Sequence, residues 1–303
     1  MPKGLTIKRF NQRFPDDAAC LEHLMRVRYG DRFPCPKCER EAHYYKVKTR
    51  RCYECEHCGH QVYPTAGTPF QRTRTSLKDW FYVMFLFCAA RNGVSAKEVQ
   101  RQIGVTYKTA WRMCREIRKY MGWVDGDTPL GGDGSGSPIV EADKTYIGGK
   151  DKQGKDDKTI VLGMAERQGG EVITRIVRNK RETSVIPHIK INVKPGSRIA
   201  TDEGRSFRNL PEEGFKHATV NHSAREYVRG QVHTNTIEGF WANVKRGIEG
   251  TYIHVSKKYL QTYLWEFEYR HNLRKTPHVM FDLLLLAFPR PEPLRKEDGQ
   301  NVA

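Results

Sequence analysis

Two short stretches decide how this chain is read: Pro138-Ile139-Val140-Glu141-Ala142-Asp143-Lys144-Thr145-Tyr146-Ile147 and Arg198-Ile199-Ala200-Thr201-Asp202. Each is a run with strand character, and each carries an aspartate where a buried strand meets its loop. Three similar runs, Thr159 to Ala165, Glu171 to Val177 and His217 to Val220, alternate with helix-like stretches, a pattern that predicts an α/β domain. From Thr236 through Arg274 the periodicity turns helical. One more apolar segment, Met280 to Phe288, precedes a polar, proline-containing tail.

A third acid belongs with these two aspartates. Glu238 lies in His233-Thr-Asn-Thr-Ile-Glu-Gly-Phe-Trp241, on an expected helix whose apolar side is Ile237, Phe240, Trp241, Val244 and Ile248. Glu238 falls off that stripe, and Lys245 shares its face. Between Asp143 and Asp202 lie 58 residues, and between Asp202 and Glu238 lie 35. Taken singly, each acid reads as a surface or capping residue; together, on strand, strand and helix of a basic α/β domain, they point to chemistry. Clustered carboxylates without a cation repel one another and take up protons. Two Mg²⁺ about 3.5 to 4 Å apart remove the conflict, one activating the attacking oxygen and the other stabilising the leaving oxygen of a phosphodiester. Asp143, Asp202 and Glu238 are therefore the expected catalytic residues and Mg²⁺ ligands, with Mn²⁺ able to substitute.

The composition agrees with a nucleic-acid substrate. Lys+Arg number 52 against 35 Asp+Glu, giving a net charge of +17, so the surface presents a positive field to a polyanion. Nucleic acid is the first partner to test. A chain of 303 residues with 38% hydrophobic content has room for two or three domains, which excludes a disordered or fibrous protein. The longest apolar run, Phe81 to Ala90, is half of the roughly 20 residues a membrane span needs, and the N-terminus shows no apolar signal region. No membrane partner and a cytoplasmic location are expected. In that reducing setting the 8 cysteines read as metal ligands or core residues rather than disulfides.

Cys35-Pro-Lys-Cys38 and Cys55-Glu-His-Cys58 are two Cys-x-x-Cys knuckles with 16 residues between them, a spacing suited to a closed, structural four-thiolate Zn²⁺ site. Cys52 also stands three residues before Cys55, with His57 and His60 nearby. Gly59 favours Cys55 and Cys58 as the second pair. Downstream, Ser95-Ala-Lys-Glu98 is a capping box that opens a helix to about Gln102. Gly104 permits a turn, and Thr106 caps a second helix with Ala110, Cys114 and Ile117 facing inward. The result is a helix-turn-helix whose second helix turns Tyr107, Lys108, Arg112, Arg115, Arg118 and Lys119 outward. Lys108, Arg112 and Arg115 are the expected DNA contacts there; Lys245 and Arg246, with the basic segments Lys257-Lys258 and Arg270 to Lys275, are expected along the phosphate backbone. The expected domains are an N-terminal segment with zinc ribbon (1–67), a helix-turn-helix domain (68–130), a catalytic domain with C-terminal helices (131–288) and a flexible tail (289–303), the Gly-rich stretch Gly131 to Ser137 forming a joint.

At this point the chain resembles the DDE-type bacterial insertion-sequence transposases, in the group with an N-terminal zinc ribbon and an ISXO-like, RNase H-like catalytic domain. The matching stretches are Gly67-Thr-Pro-Phe70, Ala142-Asp-Lys-Thr-Tyr-Ile-Gly-Gly149, Thr201-Asp-Glu-Gly204, His233 to Trp241 with Lys245-Arg-Gly247, and Tyr269-Arg-His-Asn272, together spanning roughly residues 20 to 275. The resemblance implies that Asp143, Asp202 and Glu238 bind metal above a five-stranded mixed sheet, and that His233 and Asn235 line the site. It implies binding of the element's terminal inverted repeats, strand transfer into target DNA, and a homo-oligomer, at least a dimer, in the active complex. One departure is Lys144, where the group commonly has Glu; strand alternation should turn it to the other face. Two rival readings share part of the signal: a zinc-ribbon, helix-turn-helix transcription regulator, and an RNase H-like nuclease without strand transfer.

Overall fold

The computed structural model describes residues 6–290 apart from 127, 133–137, 150–157, 169, 203 and 221–232. Most of the expected joint at Gly131 to Ser137, together with Glu203, His222 and the tail beyond residue 290, lies outside the described residues. By chain contacts two compact units form, one from residues 1–90, 96–124 and 276–303, the other from 91–95 and 125–275.

The first unit starts with helices α1 (Ile7–Arg13) and α2 (Asp17–Tyr29), capped by the side chains of Thr6 and Asp16. Five very short strands follow: β1 (Phe33–Pro34), β2 (Glu41–Ala42), β3 (Tyr44–Lys46), β4 (Tyr53–Cys55) and β5 (Gln61–Val62). Strands of two or three residues bury too little to stand alone. What gathers them is the cysteine quartet: the sulfurs of Cys35, Cys38, Cys55 and Cys58 all lie within 4.8 Å of one another. Both knuckles close the same way, with Glu39 N donating to Cys35 O at 2.8 Å and Gly59 N to Cys55 O at 3.0 Å, each residue at positive φ. Cys52 is buried in the core and stands outside the quartet.

Helix α3 (Leu77–Ala89) is apolar nearly all round and sits under α4 (Ala96–Ile103) and α5 (Tyr107–Asp125). Gly104 makes the α4–α5 turn at φ +69°, and Thr106 Oγ1 accepts from Thr109 N at 3.3 Å, as its capping role requires. Ala110, Cys114 and Ile117 are buried as expected. Arg118 corrects the expected outward set: it is 2% exposed, its guanidinium 5.2 Å from the Phe87 ring centroid. The last helix, α9 (Met280–Ala287), belongs to this unit, because Phe281 packs edge-on against Phe10 and Phe14 and Phe288 lies against Phe70 and Tyr120.

The second unit is built on a five-stranded sheet. Strands β6 (Val140–Ile147), β7 (Thr159–Glu166) and β8 (Val172–Val177) form an antiparallel meander; helix α6 (Glu182–Asn192) crosses over to β9 (Arg198–Thr201), parallel to β6, and β10 (Lys216–Thr219) adds parallel to β9. The spatial order β10-β9-β6-β7-β8 is the RNase H-like arrangement: an antiparallel meander extended by two parallel strands on the side of its first strand. Alternation of side chains along the strands fills both faces. Val140, Ala142, Leu162 and Met164 pack with Val185, Ile186 and Ile189 of α6 on one face. Val161 and Ala165 on the other meet α7 (Asn235–Gly247) and α8 (Lys257–Asn272) through Ile237, Trp241, Val244, Leu260 and Leu264. A π-helical turn, Ile248–Tyr252, joins these two helices.

Candidate active site

The site forms where β6 and β9 run side by side. Their parallel register pairs Glu141 with Ala200 and Ala142 with Thr201; one step further, Asp143 stands beside Asp202. In-register residues of parallel neighbours share a face. Across β6 on the meander side, Asp143 pairs with Gly163. Gly163 has a specific purpose there. A Cβ at that position would stand 2.3 Å from Trp241 and 2.7 Å from Ile237, so α7 rests on bare backbone and comes close to the sheet. Glu238, in the first turn of α7, is thereby held beside β6 and β7; Asp143 lies inside β6, which runs on to Ile147, and not where the strand meets its loop as expected.

The electrostatics register this convergence. The Asp143 carboxyl is pushed up from 3.8 to about 6, by burial above all and then by the negative charges of Asp202 and Glu238, against the opposing Lys144 backbone N–H and ammonium. Two acids from neighbouring elements thus act on Asp143, although among the described residues only the cysteine quartet brings three or more possible ligand atoms within 4.8 Å of one another. Asp202 Oδ1 accepts from Gly204 N at 3.1 Å, and Glu238 Oε1 accepts from Thr234 Oγ1 at 2.6 Å. Asp143 and Asp202 are half-buried and Glu238 is exposed, so the group opens to solvent. A group of hard oxygen donors, one of them a half-buried carboxyl whose charge is disfavoured by burial and by its acidic neighbours, fits Mg²⁺ by its chemistry.

Lys144 needs a fuller account than alternation alone provides. Its side chain leaves β6 on the opposite face, where Nζ lies 3.9 Å from the Phe207 ring centroid and donates to Ser206 Oγ. The ammonium nevertheless comes back toward the acids: a Cβ built on Gly204 would be 2.8 Å from both Lys144 Nζ and Asp202 Oδ1. Burial lowers the Lys144 pKa, opposed by the charges of Asp202 and Asp143.

The other expected site residues distribute as follows. Asn235, Lys245 and Arg246 are exposed on α7, with Lys245 on the same side as Glu238. Lys108 and Arg112 are exposed on α5; Arg112 also donates to Pro69 O at 2.7 Å, and Arg115 lies against Glu116 and Trp111. Arg270 is a correction to the expected basic surface: it is buried and paired with Glu266, so it holds α8 rather than phosphate.

One residue at the site was passed over by sequence reasoning. Glu141 is 0% exposed and lies two residues before Asp143, on the same face of β6. Its Oε1 accepts from Arg167 Nε at 2.7 Å and Thr236 Oγ1 at 3.0 Å; its Oε2 accepts from the backbone N–H groups of Thr236 at 2.8 Å and Ile237 at 3.0 Å. His233 Nδ1 stands 3.1 Å from Oε1 without hydrogen-bond alignment. The available signal was a glutamate inside an otherwise apolar strand, which sequence alone does not distinguish from a metal ligand.

An RNase H-like sheet with acids on its adjacent parallel strands, in a chain that also carries a zinc-ribbon region, defines the class: an α/β protein of the RNase H-like type. Within it the chain belongs to the ISXO2-like transposases. Residues 132–272 match the ISXO2-like transposase domain and residues 15–61 match the transposase zinc-ribbon domain. An uncharacterized transposase-like protein of Haemophilus influenzae is 32% identical over 102 residues, covering 34% of this chain and 81% of its own length. An uncharacterized protein in transposable element ISH50 of Halobacterium salinarum is 25% identical over 287 residues, covering 87% of this chain and 94% of its own. Among solved structures, the catalytic core domain of BIV integrase aligns at 17% identity and TM-score 0.26, over 50% of this chain and 82% of that one. A simian T-cell lymphotropic virus intasome in complex with PP2A regulatory subunit B56 gamma aligns at 14% and 0.30, over 62% and 67%. Superpositions that loose carry no weight, and the fold assignment rests on the strand order. No helix among the described residues is long and apolar enough to cross a membrane.

Proposed function

We propose that this transposase-family protein binds the terminal inverted repeats of its own element, hydrolyses the phosphodiester at the element end, and joins the freed 3′-hydroxyl to target DNA. The observation that supports the reading is the approach of Asp143, Asp202 and Glu238, from two adjacent parallel strands and a facing helix: burial above all lifts the Asp143 carboxyl to about 6, and the charges of Asp202 and Glu238 add to the rise.

Asp143, Asp202 and Glu238 would hold Mg²⁺, or Mn²⁺ in its place, which when bound supplies positive charge to the phosphate and to the attacking and leaving oxygens. The chain's own residues do the rest. Asp143 must ionise to serve as a ligand, so protons compete with the cation and its affinity should fall as the pH drops below about 6. The Gly204 N–H and the Thr234 hydroxyl fix the carboxylates of Asp202 and Glu238 in direction. Asn235, Lys245 and Arg246, exposed on α7, bind backbone phosphates around the scissile bond, and Lys108, Arg112 and Arg115 of α5 engage the element end. In the first reaction water adds to phosphorus and the 3′-oxygen leaves. In the second that 3′-oxygen adds to a target phosphorus and the target's 3′-oxygen leaves, with no covalent protein–DNA intermediate. Zn²⁺ on Cys35, Cys38, Cys55 and Cys58 is structural, since four thiolates leave no open position. Work on two element ends calls for at least two copies of the chain, in a bacterial cytoplasm at the nucleoid.

The test is incubation with Mg²⁺, an element-end duplex and a supercoiled plasmid. Joined products are expected from the wild type, and DNA binding without cleavage from Asp143→Ala and Asp202→Ala. Cleavage without joining identifies a nuclease; DNA binding with function intact in both variants identifies a regulator.

A further inference from the structure

Helix α7 lacks a cap of its own. The first N–H groups of a helix have no partner within it, and the residue that would satisfy them, Thr234, makes no side-chain cap; its hydroxyl donates instead to Glu238 Oε1 at 2.6 Å. The missing acceptor comes from another element. Glu141 of β6 takes the N–H groups of Thr236 and Ile237 on Oε2, and the Thr236 hydroxyl on Oε1. A carboxylate offers about four lone-pair directions, and with Arg167 Nε in the fourth none remains for a cation. Arg167 balances the buried charge and reaches on to His233 O at 2.7 Å, fixing the chain just before α7 begins.

We infer that Glu141 is a positioning residue: it pins the first turn of α7 to β6 and so sets the separation between Glu238 and Asp143, a role that rests on the metal-dependent reading proposed above. Two contacts fix the helix independently. Bare backbone at Gly163 sets how closely α7 approaches the sheet, and Glu141 sets where its first turn begins along β6. Asp143 is two residues from the pin on the strand and Glu238 one residue from it on the helix, so the slack between them is small. Of the acids on this face, Glu141 is the one whose two oxygens both accept hydrogen bonds from α7.

The test uses full-length Glu141→Gln and Thr236→Val, the second removing one hydrogen bond where the first might disturb folding. In metal-free protein, amide hydrogen exchange over residues 234–241 should accelerate in both while strands β6 to β8 keep wild-type protection. Mn²⁺ affinity measured by calorimetry should fall about 10- to 100-fold in Glu141→Gln, the usual range for a residue that orients metal ligands, and less in Thr236→Val. Binding of the element-end duplex should be unchanged, and raising Mg²⁺ should restore part of the cleavage. Wild-type exchange at 234–241, or wild-type Mn²⁺ affinity in either variant once folded, overturns the proposal; so does lowered stability with unchanged Mn²⁺ affinity, which marks the pin as purely structural. Asp143→Asn run alongside separates the two levels: if it cuts like wild type, the metal-dependent reading itself has failed.

Discussion

Replacing Asp143 by Asn should make the metal-free protein more stable at neutral pH while removing its chemistry. The Asp143 carboxyl moves from 3.8 to about 6 on folding. A shift of about two units at roughly 1.4 kcal/mol each corresponds to about 3 kcal/mol of destabilisation in the ionised protein. An asparagine amide must still be desolvated, so a net gain of about 1 to 2 kcal/mol is expected. The sign follows from linkage. An acid whose pKa is raised by folding binds its proton more tightly in the native state, so the cost is absent below pH 3.8, grows between 3.8 and about 6, and is complete above 6. Thermal unfolding of wild type and Asp143→Asn at pH 4 and pH 8 reads this directly. At about 2 to 4 °C per kcal/mol for a unit of this size, the variant should melt roughly 2 to 8 °C higher at pH 8 and lose that advantage at pH 4, where it should melt level with wild type or below it. Mg²⁺ at tenfold its dissociation constant should add about 1.4 kcal/mol to the wild type and almost nothing to the variant. A variant less stable than wild type at pH 8, or one that Mg²⁺ stabilises equally, refutes the view that these carboxylates form a strained cation site.

Four other outcomes follow from the same geometry. Gly163→Ala should lift α7 off the sheet, with about 1 to 3 kcal/mol lost to overpacking and cleavage falling further than stability, measured by denaturant unfolding beside the cleavage assay. Cys38→Ser should lose zinc by metal analysis and melt the short strands β1 to β5 by circular dichroism, whereas Cys52→Ser should keep its metal. Lys144→Met removes a charge that holds the Asp143 pKa down, so the acid limb of the cleavage pH profile should move to higher pH; an unmoved limb contradicts the placement of that ammonium. Lys108→Ala should weaken binding to all duplexes alike and reduce the slope of log affinity against log salt by about 1.

The local rules of the chain carried a long way. Strand runs and the cysteine knuckles are properties of neighbours in sequence, and the observed β9 begins and ends at the expected Arg198 and Thr201. The capping residues Thr106 and Gly104 behave as their chemistry dictates. Charge on helices was less legible. Arg118 and Arg270 look like surface cations in sequence, yet both are buried, because a guanidinium that finds an aromatic ring or a glutamate inside can be accommodated there.

What the sequence by itself determined is the set of parts: an α/β domain with three acids at strand and helix ends, a thiolate quartet, and a basic helical pair. These depend on periodicity and spacing, which are local. Only tertiary structure decided which acid does what. Asp143 and Glu141 are indistinguishable as letters two apart on one strand, and their roles separate because α7, arriving from almost a hundred residues away, lays its uncapped N-terminus on one and leaves the other facing Asp202 and Glu238. Occupied lone pairs, not residue type, divide Glu141 from Asp143, and that occupancy exists only once the helix has docked on the bare backbone of Gly163.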